Sequence, residues 1–216
     1  MAFKFNDHPE IAEGMHAIIS PSRHILKENY SNSQFDNYIR ASYSTAIGTS
    51  IHALAADLIS ARINIDEKEA SKFITLQLYK SNIPRNVFDA DSYVDTFVPY
   101  VKDAIGFDMH PEQVLKYSRF AFGTADTIRW NQTKKELRIH DLKTGKMPAQ
   151  LDQLVDYAAL FFLEYHVDPK DVKIELRIYQ NGEILTGLPD GVKDVLPIMK
   201  KIVALNKYFE KNYQEV

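Results

Sequence analysis

The hydrophobic and polar positions divide the chain into a helical front and a sheet-forming back. Apolar residues recur at helical spacing in Ser22–Tyr30, Ser44–Ala61, Glu67–Lys80 and Asp91–Ile105, and each segment is expected to be an amphipathic helix. The pattern then changes. Tyr117–Phe122, Ala125–Asn131 and Leu137–Lys143 read as strands, with Asn131–Lys135 as a turn between the last two. A helix over Pro148–Tyr165 follows, then a cleanly alternating strand, Val172–Gln180, with one buried and one polar face. Gln180–Asp190 reads as an ordinary turn. The final helix, Asp190–Tyr213, carries Leu196, Ile198, Met199, Ile202, Val203, Leu205 and Phe209. The order is α-βββ-α-β-α behind an N-terminal helical cap, which makes the fold class α/β: a mixed sheet flanked by helices. The helix over Pro148–Tyr165 should cross to a neighbouring parallel strand with right-handed connection.

Within Leu137-Arg-Ile-His-Asp-Leu-Lys143 the alternation decides which side chains meet. Strand side chains repeat with period two, so Leu137, Ile139, Asp141 and Lys143 share one face and Arg138, His140 and Leu142 the other. The first face runs from apolar to charged toward the strand's end. A hairpin through Asn131–Lys135 can bring Asp126, of Gly123-Thr-Ala-Asp126, beside Asp141. Gly123 and Gly145 would allow close backbone approach there. Two carboxylates can hold a hard divalent cation through oxygen. A lysine beside them can orient or deprotonate an attacking water, and phosphodiester hydrolysis at neutral pH needs both parts. An Asp-x-Lys triplet by itself is also what a solvated strand edge carries.

Two helical features bear on that choice. Gln153 and Tyr157 lie four apart at the start of the helix after the Asp141–Lys143 strand, on one face and near the same place. Both can hydrogen-bond phosphates or bases, and tyrosine can stack; the bland reading is a tyrosine at the edge of the core. Gly48 and His52 are also four apart, inside Ser44–Ala61. A glycine in a helix interior costs roughly 1 kcal/mol against alanine, so Gly48 suggests close packing. His52 shares a face with the small residues Gly48, Ala55 and Ala56. It is either a satisfied core histidine or a nitrogen ligand to the same metal.

Gly-x-x-x-His, Gly-x-x-Asp, Asp-x-Lys-Thr-Gly and Gln-x-x-x-Tyr, in that order, resemble the RecB-like branch of the PD-(D/E)XK nuclease superfamily. Phe122–Ile128, Ile139–Lys146 and Gln153–Ala158 are similar to the central block of small phage-encoded exonucleases of that branch, and Ile19-Ser-Pro-Ser-Arg23 to their short Ser-Pro-Ser segment. The likeness covers roughly residues 19 to 180. It implies a restriction-endonuclease-like core and a single nuclease domain over 1–216, mainly helical over 1–110 and sheet-containing over 111–216. It implies a catalytic set of Asp126, Asp141 and Lys143. The implied metal ligands are His52, Asp126, Asp141 and the backbone carbonyl of Leu142. The DNA-facing residues are Gln153, Tyr157, Ser22, Arg23 and Lys146. Asp141 stands where many relatives have Glu. Lys116-Tyr-Ser-Arg-Phe120 carries no acid where relatives often have one before Gly-x-x-Asp.

Composition narrows the expectation. The chain has no cysteine, so it cannot hold the iron–sulfur cluster found in several RecB-type nucleases. With 216 residues and 45% hydrophobic content it can form a sizeable core. No apolar run approaches the ~20 residues of a membrane span, and the amino terminus lacks the apolar core of a signal peptide. Net charge is −3, which argues against a broad nucleic-acid coat but not against a local grip through Arg23, Lys27, Lys134, Lys135, Lys143 and Lys146. The expected protein is a Mg²⁺- or Mn²⁺-dependent deoxyribonuclease in the cytoplasm of a bacterial host. It would hydrolyse DNA as an exonuclease in phage or prophage recombination, with a phage recombinase or single-strand annealing protein as candidate partner, and homo-oligomers are compatible with it. An oxygen-rich site suits Mg²⁺, and an imidazole makes Mn²⁺ well tolerated. A structure-specific or restriction-like endonuclease, and a DNA-binding module without activity, are the alternative readings.

Overall fold

The computed structural model describes residues 31–213, which fall into two compact units divided between Tyr43 and Ser44. Ser22, Arg23, Lys27, the Ser-Pro-Ser segment and the helix expected over Ser22–Tyr30 lie outside the described residues. In the first unit, α1 (Asn32–Ser42) is opened by a capping box. Ser31 accepts from the Gln34 amide and the Gln34 side chain accepts from the Ser31 amide. No helix was expected over this stretch.

The second unit begins with α2 (Ser44–Ala61), α3 (Glu67–Lys80) and α4 (Asp91–Gly106), which pack on one another. Asp66 and Glu69 form the capping box of α3. α4 buries Phe97, Tyr100, Val101 and Ala104. The sheet follows: β1 (His110–Ser118), β2 (Ala121–Asn131), β3 (Glu136–Lys143), then α5 (Asp152–Glu164), β4 (Lys173–Gln180), β5 (Glu183–Gly187) and α6 (Leu196–Asn212). Strand order is sequential, β1-β2-β3-β4-β5, and all neighbours are antiparallel except β3 and β4, which are parallel across the α5 crossover. This is a mixed α/β architecture. Among the described residues no helix is long and apolar enough to cross a membrane.

The face assignment of β3 follows the alternation, but the strand is covered on both sides rather than one. Leu137 and Ile139 join Leu176, Ile178, Leu154, Ala158 and Phe162 in a core beneath α5 and α6. Arg138, His140 and Leu142 are turned toward α4. There Phe107 meets the Arg138 guanidinium at 4.2 Å and the His140 ring edge-on at 5.8 Å. Asp103 of α4 accepts from Arg177 at 2.7 Å and from the Tyr179 hydroxyl at 2.5 Å. These charge-assisted bonds fasten α4 across β4.

Three expected elements are corrected. Tyr117–Phe122 is not one strand: it spans the end of β1, the turn at Arg119-Phe120 and the start of β2. The true first strand starts earlier, at His110, and its Pro111 is tolerated because β1 is an edge strand. Gln180–Asp190 is not only a turn. Asn181 and Gly182 take φ +52° and +75° and close a two-residue hairpin into β5, as an Asn-Gly pair does best. The helix expected from Pro148 starts at Asp152. Gln180 pins the preceding loop, accepting from the Ala149 amide and donating to the Gly145 and Met147 carbonyls. The last helix is entered through one wide turn, Gly191–Val195, capped by Asp190.

Gly191 marks where that turn presses on the β4 approach. A Cβ there would sit 2.1 Å from the Pro169 carbonyl oxygen, a backbone atom that cannot step aside. Gly191→Ala should therefore cost about 1–3 kcal/mol, as overpacking does. A Cβ on Gly106, at the end of α4, meets nothing within 4 Å. Gly106→Ala should be neutral or stabilising by up to about 1 kcal/mol. Urea unfolding of both variants checks the pair.

Candidate metal centre and active site

The site is built where the sheet forks. β2 pairs with β3 from Asn131 down to Thr127, opposite His140, and the next residues along would be Asp126 and Asp141. Beyond that point the strands part: Ala121–Ala125 pairs with β1, and Asp141–Lys143 pairs with β4. One hydrogen bond spans the fork, from the Leu142 amide to Asp126 Oδ2 at 2.9 Å. Leu142 thus meets Asp126 through its N–H.

Into the mouth of the fork α2 brings His52, whose Nδ1 lies 3.3 Å from Asp126 Oδ2. α2 can come this close because Gly48 has no side chain. A Cβ there would meet Thr144 Oγ1 at 3.1 Å, tighter than ordinary contact. Gly123 has the same use on the other side, where a Cβ would lie 2.9 Å from the Tyr157 ring. Gly145 has open space around it and no such role. His52 shares a cleft of about 700 Å³ with Gly48, Ala53, Ala56, Asp57, Glu112, Thr124 and Asp126. Ala55, expected on the same face, is instead buried in the core.

Glu112 is the residue that the motif order missed. One oxygen or nitrogen each from His52, Glu112 and Asp126 lie within 4.8 Å of one another. The β1–β2 register runs through Pro111 opposite Thr127 and Gln113 opposite Ala125, so Glu112 faces Asp126 across the hairpin. Its backbone is left-handed, φ +49°, which for a non-glycine residue stores strain of order 1–3 kcal/mol. The signal available in the sequence was symmetry: a turn centred on Arg119 sets an acid seven residues before it against one seven residues after it. Lys116–Phe120, which carries no acid, lies at the far end of the hairpin, where β1 turns into β2.

Asp141 stands on the opposite prong of the fork, outside that triad. Its side chain is only 4% exposed. Burial and then the charge of Asp126 push its carboxyl up to about 6, against the pull of Lys143 and His52. Lys143 Nζ donates to Asp141 Oδ1 at 3.1 Å and to Gln153 Oε1 at 3.0 Å. Gln153 Nε2 donates in turn to the Tyr157 hydroxyl at 3.3 Å. Gln153 and Tyr157 are therefore brought to the site, Gln153 through its bond to the lysine and Tyr157 through its bond to Gln153. Lys146 sits on the exposed loop between β3 and α5, at a small pocket shared with Lys143, Thr144, Ser92 and Asn181.

The electrostatics favour a cation here. Burial works against charge on His52, yet its bond to Asp126 and the charges of Asp126, Asp141 and Glu112 raise its pKa above 6.5. Burial and Asp126 likewise raise Glu112, with His52 partly offsetting them. Asp141 Oδ2 is buried and accepts no hydrogen bond, although Lys143 Nζ is 3.0 Å away. Crowded carboxylates and one imidazole are donors that fit a hard divalent cation such as Mg²⁺ or Mn²⁺. Without cysteine the chain offers no thiolate to a softer metal or an iron–sulfur cluster.

Fold and site together define a mixed α/β protein with a carboxylate–imidazole cleft at a forked sheet. The chain belongs to the family described as "Protein of unknown function (DUF2800)", which matches residues 28–180 and so includes every site residue from His52 to Tyr157. No curated protein and no solved structure matches the chain.

The raised carboxyl of Asp141 sets a pH dependence for the metal-free protein. Its folded value near 6 lies above the ordinary 3.8 of an aspartate, so folding favours the protonated form. The contribution is complete below about pH 4 and is lost as pH rises to about 6, on the order of 2–3 kcal/mol. Asp141→Asn should abolish this fall, so the melting temperature of the variant should gain on the wild type between pH 4 and 7 in the presence of a chelator. Parallel melting curves across that range would reject the burial argument.

His52→Ala removes the imidazole donor of the triad and Glu112→Gln the charge of one carboxylate, and both are expected to weaken Mn²⁺ binding. By calorimetric titration each should lose at least tenfold in affinity while helix content is retained. Unchanged affinity with a lowered melting temperature would make His52 a core residue instead.

Proposed function

We propose that this protein is a divalent-cation-dependent deoxyribonuclease of the PD-(D/E)XK superfamily, in its RecB-like branch, and that it degrades DNA as an exonuclease. The observation that carries the reading is the fork. It sets Asp126 and Asp141 on parted strands, places Lys143 two residues beyond Asp141, and brings in His52 from α2. The α2–α4 helices ahead of a mixed sheet with one parallel crossover agree with a restriction-endonuclease-like core.

His52, Glu112 and Asp126, with Asp141 across the gap, would hold the cation. Bound there, a divalent ion supplies Lewis-acid polarisation of a phosphoryl oxygen and offsets charge as the phosphorus gains an oxygen. The protein's own part is positioning. The Lys143 ammonium has three protons. Asp141 and Gln153 engage two and aim the third at the water that attacks phosphorus. As water oxygen bonds to phosphorus one P–O ester bond breaks; the water would give its proton to a site carboxylate or to solvent, and the departing sugar oxygen would take one from solvent. Tyr157 fixes Gln153, and its own ring is fixed against Gly123. Lysine geometry is thus set from two elements at once, which is what a reaction paid for in orientation requires.

Cleavage of end-labelled linear duplex with Mg²⁺ or Mn²⁺, beside the same duplex with both ends capped by hairpins, tests the reading. The linear substrate should shorten progressively and the capped one should resist. Asp126→Ala and Asp141→Ala should abolish cleavage without loss of fold. Lys143→Ala should keep metal and DNA binding and slow the single-turnover step at least about 10²-fold, as a mispositioned attacking water does. A normal single-turnover rate in the lysine variant would remove Lys143 from the chemistry.

A further inference from the structure

The outer face of the β1–β2 hairpin leads away from the acidic triad and is open. Cross-strand partners in an antiparallel pair share a face, so Val114 pairs with Thr124 there and Lys116 with Phe122. The opposite face is spoken for. Leu115 and Ala125 are fully buried in the core beneath α5, and Gly123 is pressed against the Tyr157 ring. That contact settles the direction of Phe122: alternation turns it outward, and it is 64% exposed, with Val114 at 50%. Thr124, next on this face toward the site, already lines the cleft with His52, Glu112 and Asp126. From Asp126 to Phe122 is four residues, about 13 Å of strand.

We propose that this face is a track for a single, unpaired DNA strand, on which Phe122 stacks against a base within a few nucleotides of the cleaved bond and Lys116 meets the backbone. The proposal rests on the nuclease reading above and names the form of its substrate. Two observations select the occupant. The face is continuous with the cleft that would receive the scissile phosphate, and its one exposed aromatic is paired with a cation, the combination that grips single strands through stacking and charge. A base inside a duplex has both faces covered by its neighbours, so an exposed phenyl ring gains little from it. An unpaired or terminal base has a face to offer.

The test uses the full chain with Ca²⁺ in place of Mg²⁺, to hold the substrate uncleaved. Single-stranded oligonucleotides carrying 2-aminopurine at successive positions, and a blunt duplex, are titrated against wild type, Phe122→Leu, Phe122→Trp and Lys116→Ala. Leucine keeps the apolar bulk and removes the ring face, so a folding defect is separated from lost stacking. The wild type should change 2-aminopurine fluorescence at one position near the bound end. Phe122→Leu should lose that signal and weaken single-strand binding about ten- to hundredfold, with blunt-duplex binding within twofold of wild type. Phe122→Trp should keep both, and Lys116→Ala should weaken binding with a smaller salt dependence. Single-strand affinity and signal unchanged in Phe122→Leu would overturn the track. So would unchanged affinity with a smaller particle mass by light scattering, which would make the face a contact between copies of the chain. If the wild type neither binds nor cleaves DNA, the nuclease reading itself fails; if it does both and Phe122→Leu matches it, only the track does.

Discussion

The arrangement of the site depends on one hydrogen bond, from the Leu142 amide to the Asp126 carboxylate. Between Thr127 and His140 the sheet is an ordinary antiparallel ladder; one residue further on, the strands separate. A separated pair of strands exposes backbone donors that must find partners elsewhere. Leu142 finds Asp126, so the bond that ends the ladder also points an acid into the gap. Every other site residue is placed with respect to that gap. His52 reaches it across the clearance that Gly48 leaves, Glu112 faces it from the hairpin, and Lys143 lines its far side.

Such a gap is expensive to keep. Asp141 is nearly inaccessible to water and lies close enough to Asp126 for its carboxyl to be driven up to about 6, and Glu112 adds a left-handed backbone. The structure offsets this elsewhere. On the α4 side, Asp103, Arg177, Glu175 and Arg138 form a chain of paired charges around the Phe107 ring, and the Tyr179 hydroxyl links Asp103 to His140. On the α5 side, aliphatic and aromatic side chains close a continuous core. The charged prongs are therefore held by two well-packed layers, and the strain is confined to the ends of the strands, where function would use it.

The Gln153–Tyr157 pair shows how a motif's spacing can be right about place and silent about contact. Helical periodicity requires the two side chains to share a face near the end of β3. Only the packed structure aims that face at Lys143 and fits Tyr157 over Gly123. The outward turn of Phe122 follows from the same contact.

What the sequence by itself determined was local. Alternation settled the faces of β3, helical spacing settled α2, α3 and α4, and the Asp141–Lys143 pair was legible because two positions on one strand face need no tertiary information. The edges were not legible. β5 is short and exposed on both faces, so burial left no alternation to read even though Asn181-Gly182 marks its turn. β1 is opened by His110-Pro111 and kinked at Glu112, both of which interrupt a strand pattern. Which acid faces Asp126, and which amide ends the ladder, depend on the register of the β1–β2 hairpin and on the fork. Those are set by pairing between segments and by packing against α2 and α5, and a one-residue slip would turn each of these side chains to the other face.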